Sequence, residues 1–474
     1  MKSNLLYDFD VAIIGAGIAG ICAAYELSMR SNLRVVLIDK GNKISARACP
    51  IKGTTSKCKG CNECSIMNGF GGAGGFSDGK YNITTQFGGW LTDYVSDEEA
   101  INLINYVDEI NMKFGATKDF FSTETKEAKE IEREALKYDL HLLQAKVKHL
   151  GTENNFNILC KMYEYLQDKV TILCNTDVRE INKKEDGSYE IDYIPSVGRP
   201  LDTSIMSVRY IIAAPGRSGA EWFSNVCKNT LGIELVNNQI DLGVRVELPN
   251  LVFSHITDSV YEAKIKYVTS RGNTVRTFCM NPSGYVVYEN TDGTITVNGH
   301  SYADKSLGSD NTNFAILVST TFTEPFKDPY QYGKRTASFS NLLGNGIIVQ
   351  RYGDLKAGRR TNEKRLKESF TRPTLASATP GDLGYVIQYN QLTDIIEMIE
   401  RLDKIAPGTA NNDTLLYGVE VKYYSARPKE LSPYLETTSP NLFAIGDGAG
   451  ITRGLSQAGA SGILAARGIL EKIK

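Results

Sequence analysis

Polar and apolar positions along this 474-residue chain change period several times. Residues 9–14 read "FDVAII", a short β-branched run closed by the glycines of "GAGIAG". Ile21, Ala24 and Leu27 then recur at helical spacing in "ICAAYELSMR". A second β-branched run, "LRVVLIDK", carries the chain to Asp39. The order predicted for this segment is strand, glycine turn, helix, strand. Residues 95–150 are charged and helix-periodic, with Ile131, Ala135, Tyr138 and Leu142 near one face, and predict a solvated helical excursion. From about 236 to 330 the pattern alternates, as in "TVRTFCMNPSGYVVYENTDGTITVNG", which predicts antiparallel strands with "NTDG" as a hairpin turn. A helix is predicted around "LTDIIEMIERL", and near 415 the chain re-enters its first domain. An apolar strand at 442–445, a Gly-Asp turn and a helix rich in Ala and Gly close the pattern.

The first unit carries chemistry. Gly15 permits the tight turn, Gly17 lets the backbone approach a pyrophosphate, and Gly20 lets the helix pack closely on its strand. Ile18 and Ala19 then open a helix whose N-terminus faces the phosphates. Asp39, with Lys40 beside it, stands about twenty residues past the last glycine, where a carboxylate accepts hydrogen bonds from ribose hydroxyls. The combination predicts a bound adenine dinucleotide; a structural turn without ligand is the alternative.

The other end of the chain bears on which dinucleotide. "TTSPNLFAIGDGAGITRGLSQAGASGILAARGILEKI" resembles the second FAD motif of flavoproteins with the glutathione-reductase type of fold. The resemblance implies that Gly446 and Asp447 meet the ribityl chain and that the amides near Gly454 and Leu455 meet flavin O2. Hydride arriving at N5 leaves negative charge there, which a helix N-terminus stabilises. "VTILCNTDVREI" resembles the strand whose backbone contacts adenine, with Val178 at that position. "RYIIAAPGRSGAEW" resembles the strand and turn that return past the FAD, with Ala214 and Gly216 in place. "KHLGTE", "GVRVELP", "RTFCMNPSGYVV" and "VNGHS" are similar, in order and spacing, to a family labelled uncharacterised FAD-dependent dehydrogenases. That family often carries a second Cys where this chain has Asn281, and a Met where it has His300.

The expected fold class is α/β: a Rossmann-like FAD-binding domain with a parallel central sheet, plus an inserted β-rich α+β substrate or cap domain. Residues 1–95, 150–235 and 411–474 are assigned to the FAD-binding domain, 96–149 to the helical excursion and 236–410 to the cap. No second GxGxxG follows a strand and opens a helix between 230 and 410, so no dedicated NAD(P) domain is expected.

Cys49, Cys58, Cys61 and Cys64 crowd into sixteen residues, directly before "GFGGAGGFSDGK". Gly71, Gly72, Ala73 and Gly74 in that run allow close backbone approach to the cofactor and offer amides to phosphate oxygens. Three readings of the cysteines stay open. A C-x2-C-x2-C run with a remote Cys-Pro resembles ligation of a [4Fe-4S] cluster, which would relay electrons from a ferredoxin-like donor. Structural zinc is the second, although it more often uses two separated knuckles. A dithiol pair, Cys61 and Cys64, exchanging with the flavin is the third. Cys22, Cys160, Cys174, Cys227 and Cys279 read as small buried hydrophobes.

Composition narrows the partners. With 53 Lys+Arg against 55 Asp+Glu and no basic block, nucleic acid is not expected. No apolar run reaches the length of a membrane span, so a soluble cytoplasmic protein acting on a small-molecule substrate is expected. His149 and His300 are candidates for proton transfer, and Arg359, Arg360 and Arg427 for holding an acidic substrate. No catalytic acid is assigned. The expected function is an FAD-dependent oxidoreductase moving a hydride between flavin N5 and an organic substrate, an alkene reduction or its reverse. A thiol–disulfide reductase and a non-catalytic electron-transfer protein are the alternatives.

Overall fold

A computed structural model describes the chain except residues 1–6, 53–55, 57, 62, 196–202, 292, 303, 323–324, 327 and 423. It is an α/β fold with two large sheets. In the first, Thr171–Leu173, Val35–Ile38, Phe9–Ile14, Ser204–Ala213 and Leu442–Ala444 run parallel in that spatial order. Tyr189–Pro195 and Thr176–Lys183 extend it as an antiparallel meander. Val35–Ile38 and Leu442–Ala444 are buried at every position, as strands covered on both faces must be.

Three helices cover one face. Ile18–Arg30 and Leu455–Lys472 lie side by side so closely that a Cβ on Gly462 would sit 2.0 Å from the Ala19 carbonyl oxygen. Asp97–Lys113 packs on Leu455–Lys472 and buries Leu103, Ile104, Val107 and Ile110 in the first core. Its N-cap is Ser96, whose side chain accepts from the Glu99 amide. This part of the excursion is therefore structural and not merely solvated. Its apolar positions are diluted by acidic residues, which hid a buried face.

The second sheet has eight strands, in the order Thr379–Pro380, Ile348–Arg351, Leu415–Lys422, Ile240–Pro249, Asn311–Thr320, Thr274–Asn281, Ile265–Val268 and His141–Leu142. All but the first pairing are antiparallel. Helices Asn250–Val260 and Tyr389–Leu402 pack on it to form the second core. Leu415–Lys422, expected in the FAD-binding domain, is a central strand here. Nothing in an apolar strand says which of two sheets it joins. His141–Leu142, expected on a helix, pairs at the far edge. Tyr285–Thr291 and Thr294–His300 form the hairpin predicted around "NTDG", although Asp292 lies outside the described residues. Among the described residues, no helix is long and apolar enough to cross a membrane.

Candidate active site

The glycine loop is fixed by its neighbours. Gly15 sits at φ +107°, and a Cβ there would lie 1.9 Å from the Ala214 carbonyl oxygen. Only glycine fits that close approach between the ends of two parallel strands. Gly17 caps the helix Ile18–Arg30 without a side-chain hydrogen bond. The amides of the first turn are thus left for a ligand, with the positive end of the helix dipole behind them. The glycine-rich strip docks onto this loop, where the Gly71 amide donates to the Ala16 carbonyl at 2.8 Å.

Asp39 does more than the sequence suggests. Its carboxylate accepts from the amides of Ala16 (2.8 Å), Gly41 (2.9 Å) and Gly69 (2.8 Å). It therefore ties the glycine loop, its own turn and the start of the strip together at the place where ribose hydroxyls were expected. Arg47 does the same from the other side. Its buried guanidinium donates to the carbonyls of Ser65, Phe70, Ile66 and Gly72 at 2.7–2.9 Å, which joins the cysteine-bearing segment to the strip.

The C-terminal half of the site has the same plan. Asp447 Oδ1 accepts from the Thr452 hydroxyl at 2.7 Å. Burial raises its carboxyl above the ordinary aspartate value, against the pull of Arg217 and Arg453. Gly454 caps Leu455–Lys472, again without a side-chain hydrogen bond.

One cavity of about 500 Å³ joins these parts. Of the eighteen residues expected to hold the cofactor, all but Gly20 line it. Gly20 instead lies under the loop, where a Cβ would be 2.0 Å from the Gly15 carbonyl oxygen. A glycine cradle at one end, a half-buried carboxylate at the middle and a second uncapped helix at the other suit an extended dinucleotide such as FAD. The cavity wall opposite belongs to the second sheet and was not foreseen. It carries Lys264, Arg276, Phe278, Cys279 and Lys422, with Tyr424 beyond the strand end. Arg276 and Phe278 share one face of a strand by alternation, the single sequence signal that pointed there. Cys279, read as an inert hydrophobe, lies at φ +47° in a bulge of that strand and faces the cavity.

The other candidates fall elsewhere. None of Cys49, Cys58, Cys61 and Cys64 lines the cavity. Among the described residues, no three His, Cys, Asp or Glu side chains gather into a metal-holding group. The expected tetrathiolate, iron–sulfur or zinc, is thus not supported. All four are free thiols, with Cys61 exposed, and burial raises the Cys58 and Cys64 thiols, to which the neighbouring cysteines of the group add. His149 lies behind the cavity, 2.8 Å from the Tyr261 hydroxyl, and burial lowers its pKa to about 4. His300 is half-buried, with a buried and unpartnered Nδ1. Arg359 donates to Asp354 and Arg427 to Tyr94, and neither they nor Arg360 reach the cavity.

Comparison with known proteins gives three family matches. Residues 10–57 match the family described as FAD dependent oxidoreductase. Residues 239–423 match FAD-dependent protein, C-terminal domain-like, and residues 383–474 match Glucose inhibited division protein A. An uncharacterized protein of Clostridium beijerinckii is 27% identical over 97% of this chain and 80% of its own length. Among solved structures, a ternary complex of aklavinone-11 hydroxylase with FAD and aklavinone aligns with a TM-score of 0.42 at 11% identity. The alignment covers 100% of this chain and 63% of that one, so this chain spans less than two thirds of the hydroxylase. Glycine oxidase from Geobacillus kaustophilus aligns with a TM-score of 0.40 at 10% identity, over 98% and 95% of the two chains.

Proposed function

We propose that this chain, an FAD-dependent oxidoreductase, moves a hydride between the flavin and a small organic substrate held against the cap sheet, in the manner of an alkene reductase or the reverse dehydrogenase. The observation that carries the reading is one cavity of about 500 Å³ lined by both glycine-rich ends of the chain and by the cap. FAD, when bound, supplies a two-electron acceptor or donor at N5.

The chain's own residues do the rest. The amides from Gly17 to Ala19 and the strip Gly71–Gly74 would meet the diphosphate, and Asp447 would accept from ribityl hydroxyls. The amides after Gly454 would meet the pyrimidine end. Phe87, Phe278 and Tyr424 exclude water around the space left for substrate. Lys264, Cys279 and Tyr424 are among the proton-bearing groups facing it. Reduction of an alkene adds the hydride to one carbon and a proton to the other, so one such group has to deliver that proton. No step is drawn through the four N-terminal cysteines or a ferredoxin-like donor.

The test is anaerobic. Protein reduced with dithionite and freed of excess reductant is mixed with candidate alkenoates while flavin absorbance is followed. Reoxidation with two deuterium atoms added across the double bond, when the dithionite reduction and the turnover are both run in D2O, is the expected result. Flavin that exchanges electrons only with one-electron carriers, or protein that retains no FAD, overturns the proposal.

A further inference from the structure

Three cations of the cap surround one aromatic ring. Lys264 Nζ, Arg276 Cζ and Lys422 Nζ lie 4.9, 5.7 and 5.8 Å from the centroid of Phe278. All four residues line the cavity, and Arg453 enters the same wall from the flavin side, 4.3 Å from the Tyr424 ring. The three cap cations come from separate segments of the chain and are largely buried, with side-chain exposures of 6%, 13% and 11%. Cations are seldom gathered out of water unless anions balance them.

The protein's own carboxylates do not balance them fully. Glu262 faces Lys264 at 3.4 Å. Glu420 pairs with Lys422 at 2.9 Å, but it also takes both forks of the buried Arg245 at 2.7 and 2.8 Å. Asp241 serves Arg276 and lies 3.7 Å from Arg453 while also accepting from the hydroxyls of Tyr424 and Ser319. Asp447, on the flavin side, also interacts with Arg453, so four carboxylates answer five cations. The remaining pairs nearby, Lys80 with Asp78 and Arg217 with Glu289, cancel. Two buried donors, Arg276 Nε and Arg453 Nη1, have no hydrogen-bond acceptor. Such donors are costly when left unmade and point to an acceptor that enters with a ligand.

We infer that the Phe278 wall is an anion site that selects substrates bearing a carboxylate, with Lys264, Arg276 and Lys422 as its recognition residues. The inference rests on the flavin reading of the same cavity and names the substrate class. Burial that lowers the Lys264 pKa agrees with a lysine short of negative charge. A guanidinium and two ammonium groups fit the planar oxygens of a carboxylate, and the aromatic walls suit a short unsaturated chain beside it.

FAD-loaded protein is titrated with crotonate, succinate and benzoate, with their amides and with inorganic phosphate, by calorimetry and by flavin absorbance. Saturable binding of at least one carboxylate is expected, about 10- to 100-fold tighter than its amide. Lys264→Met and Lys422→Met are each expected to weaken it about 10-fold or more while FAD content is retained; circular dichroism confirms folding. Failure of all three acids, amides that bind equally well, phosphate that binds as tightly, or Lys→Met variants that alter only the flavin spectrum would each overturn the inference. Loss of FAD from the wild-type protein would instead remove the flavin reading on which it stands.

Discussion

The two walls of the cavity use opposite means. The flavin side is built from backbone: glycines, amides at two helix N-termini, and a strip that Asp39 and Arg47 hold by hydrogen bonds to main-chain atoms. The cap side is built from side chains, charged and buried, delivered by strands far apart in sequence. A backbone cradle needs particular small residues at fixed spacing and therefore leaves a motif. A side-chain wall needs only that certain strands become neighbours, and leaves almost none.

The sharpest way to break the contrast is Gly15→Val. Its Cβ would overlap the Ala214 carbonyl in a backbone conformation that valine avoids, and the expected loss exceeds about 4 kcal/mol. Protein recovered without flavin and with a lowered denaturation midpoint is the measurement. Next is Arg245→Met, which removes both guanidinium hydrogen bonds from the fully buried Glu420 and leaves it Lys422 as its cation. Breaking such a pair costs about 3–5 kcal/mol, read as a shift in urea midpoint, while the glycine motif stays intact.

A smaller effect concerns the seam between the walls. His149 is held below its ordinary pKa of 6.5, at about 4, first by desolvation and also by Lys80. A depressed folded value means that neutral His149 contributes stability above pH 6.5 and that the contribution fades as pH falls toward 4. The expected loss is ~2–3 kcal/mol, and His149→Gln should flatten that part of the stability profile. Smallest of all, Arg360→Ala is expected to change neither flavin content nor carboxylate binding, because Arg360 lies outside the cavity. A change in either would show that the cap reaches substrate by another route.

These experiments also mark how far the sequence could be read. The strand–loop–helix at residues 9–30, the Gly-Asp turn and the final helix were legible because each imposes local geometry. Asp39 was found for its position, but its work as a clamp on Gly69 depends on a segment thirty residues away. Leu415–Lys422 was expected in the FAD-binding domain and pairs in the second sheet, because pairing is decided by partners and not by its own residues. The cysteines, conspicuous by spacing, lie off the cavity, whereas Cys279, inconspicuous, faces it. Lys264 and Lys422 stand in no motif, and only the fold buries them beside Phe278.

The first sheet is completed late. Ser204–Ala213 waits for Leu442–Ala444 while roughly 230 residues are added between them. At ribosomal speeds of about 5–20 residues per second, an apolar strand flank stays uncovered for on the order of ten seconds or more. The nascent polypeptide therefore carries an unpaired strand edge through that interval, and the cavity closes only after Leu442–Ala444 and Leu455–Lys472 have been added.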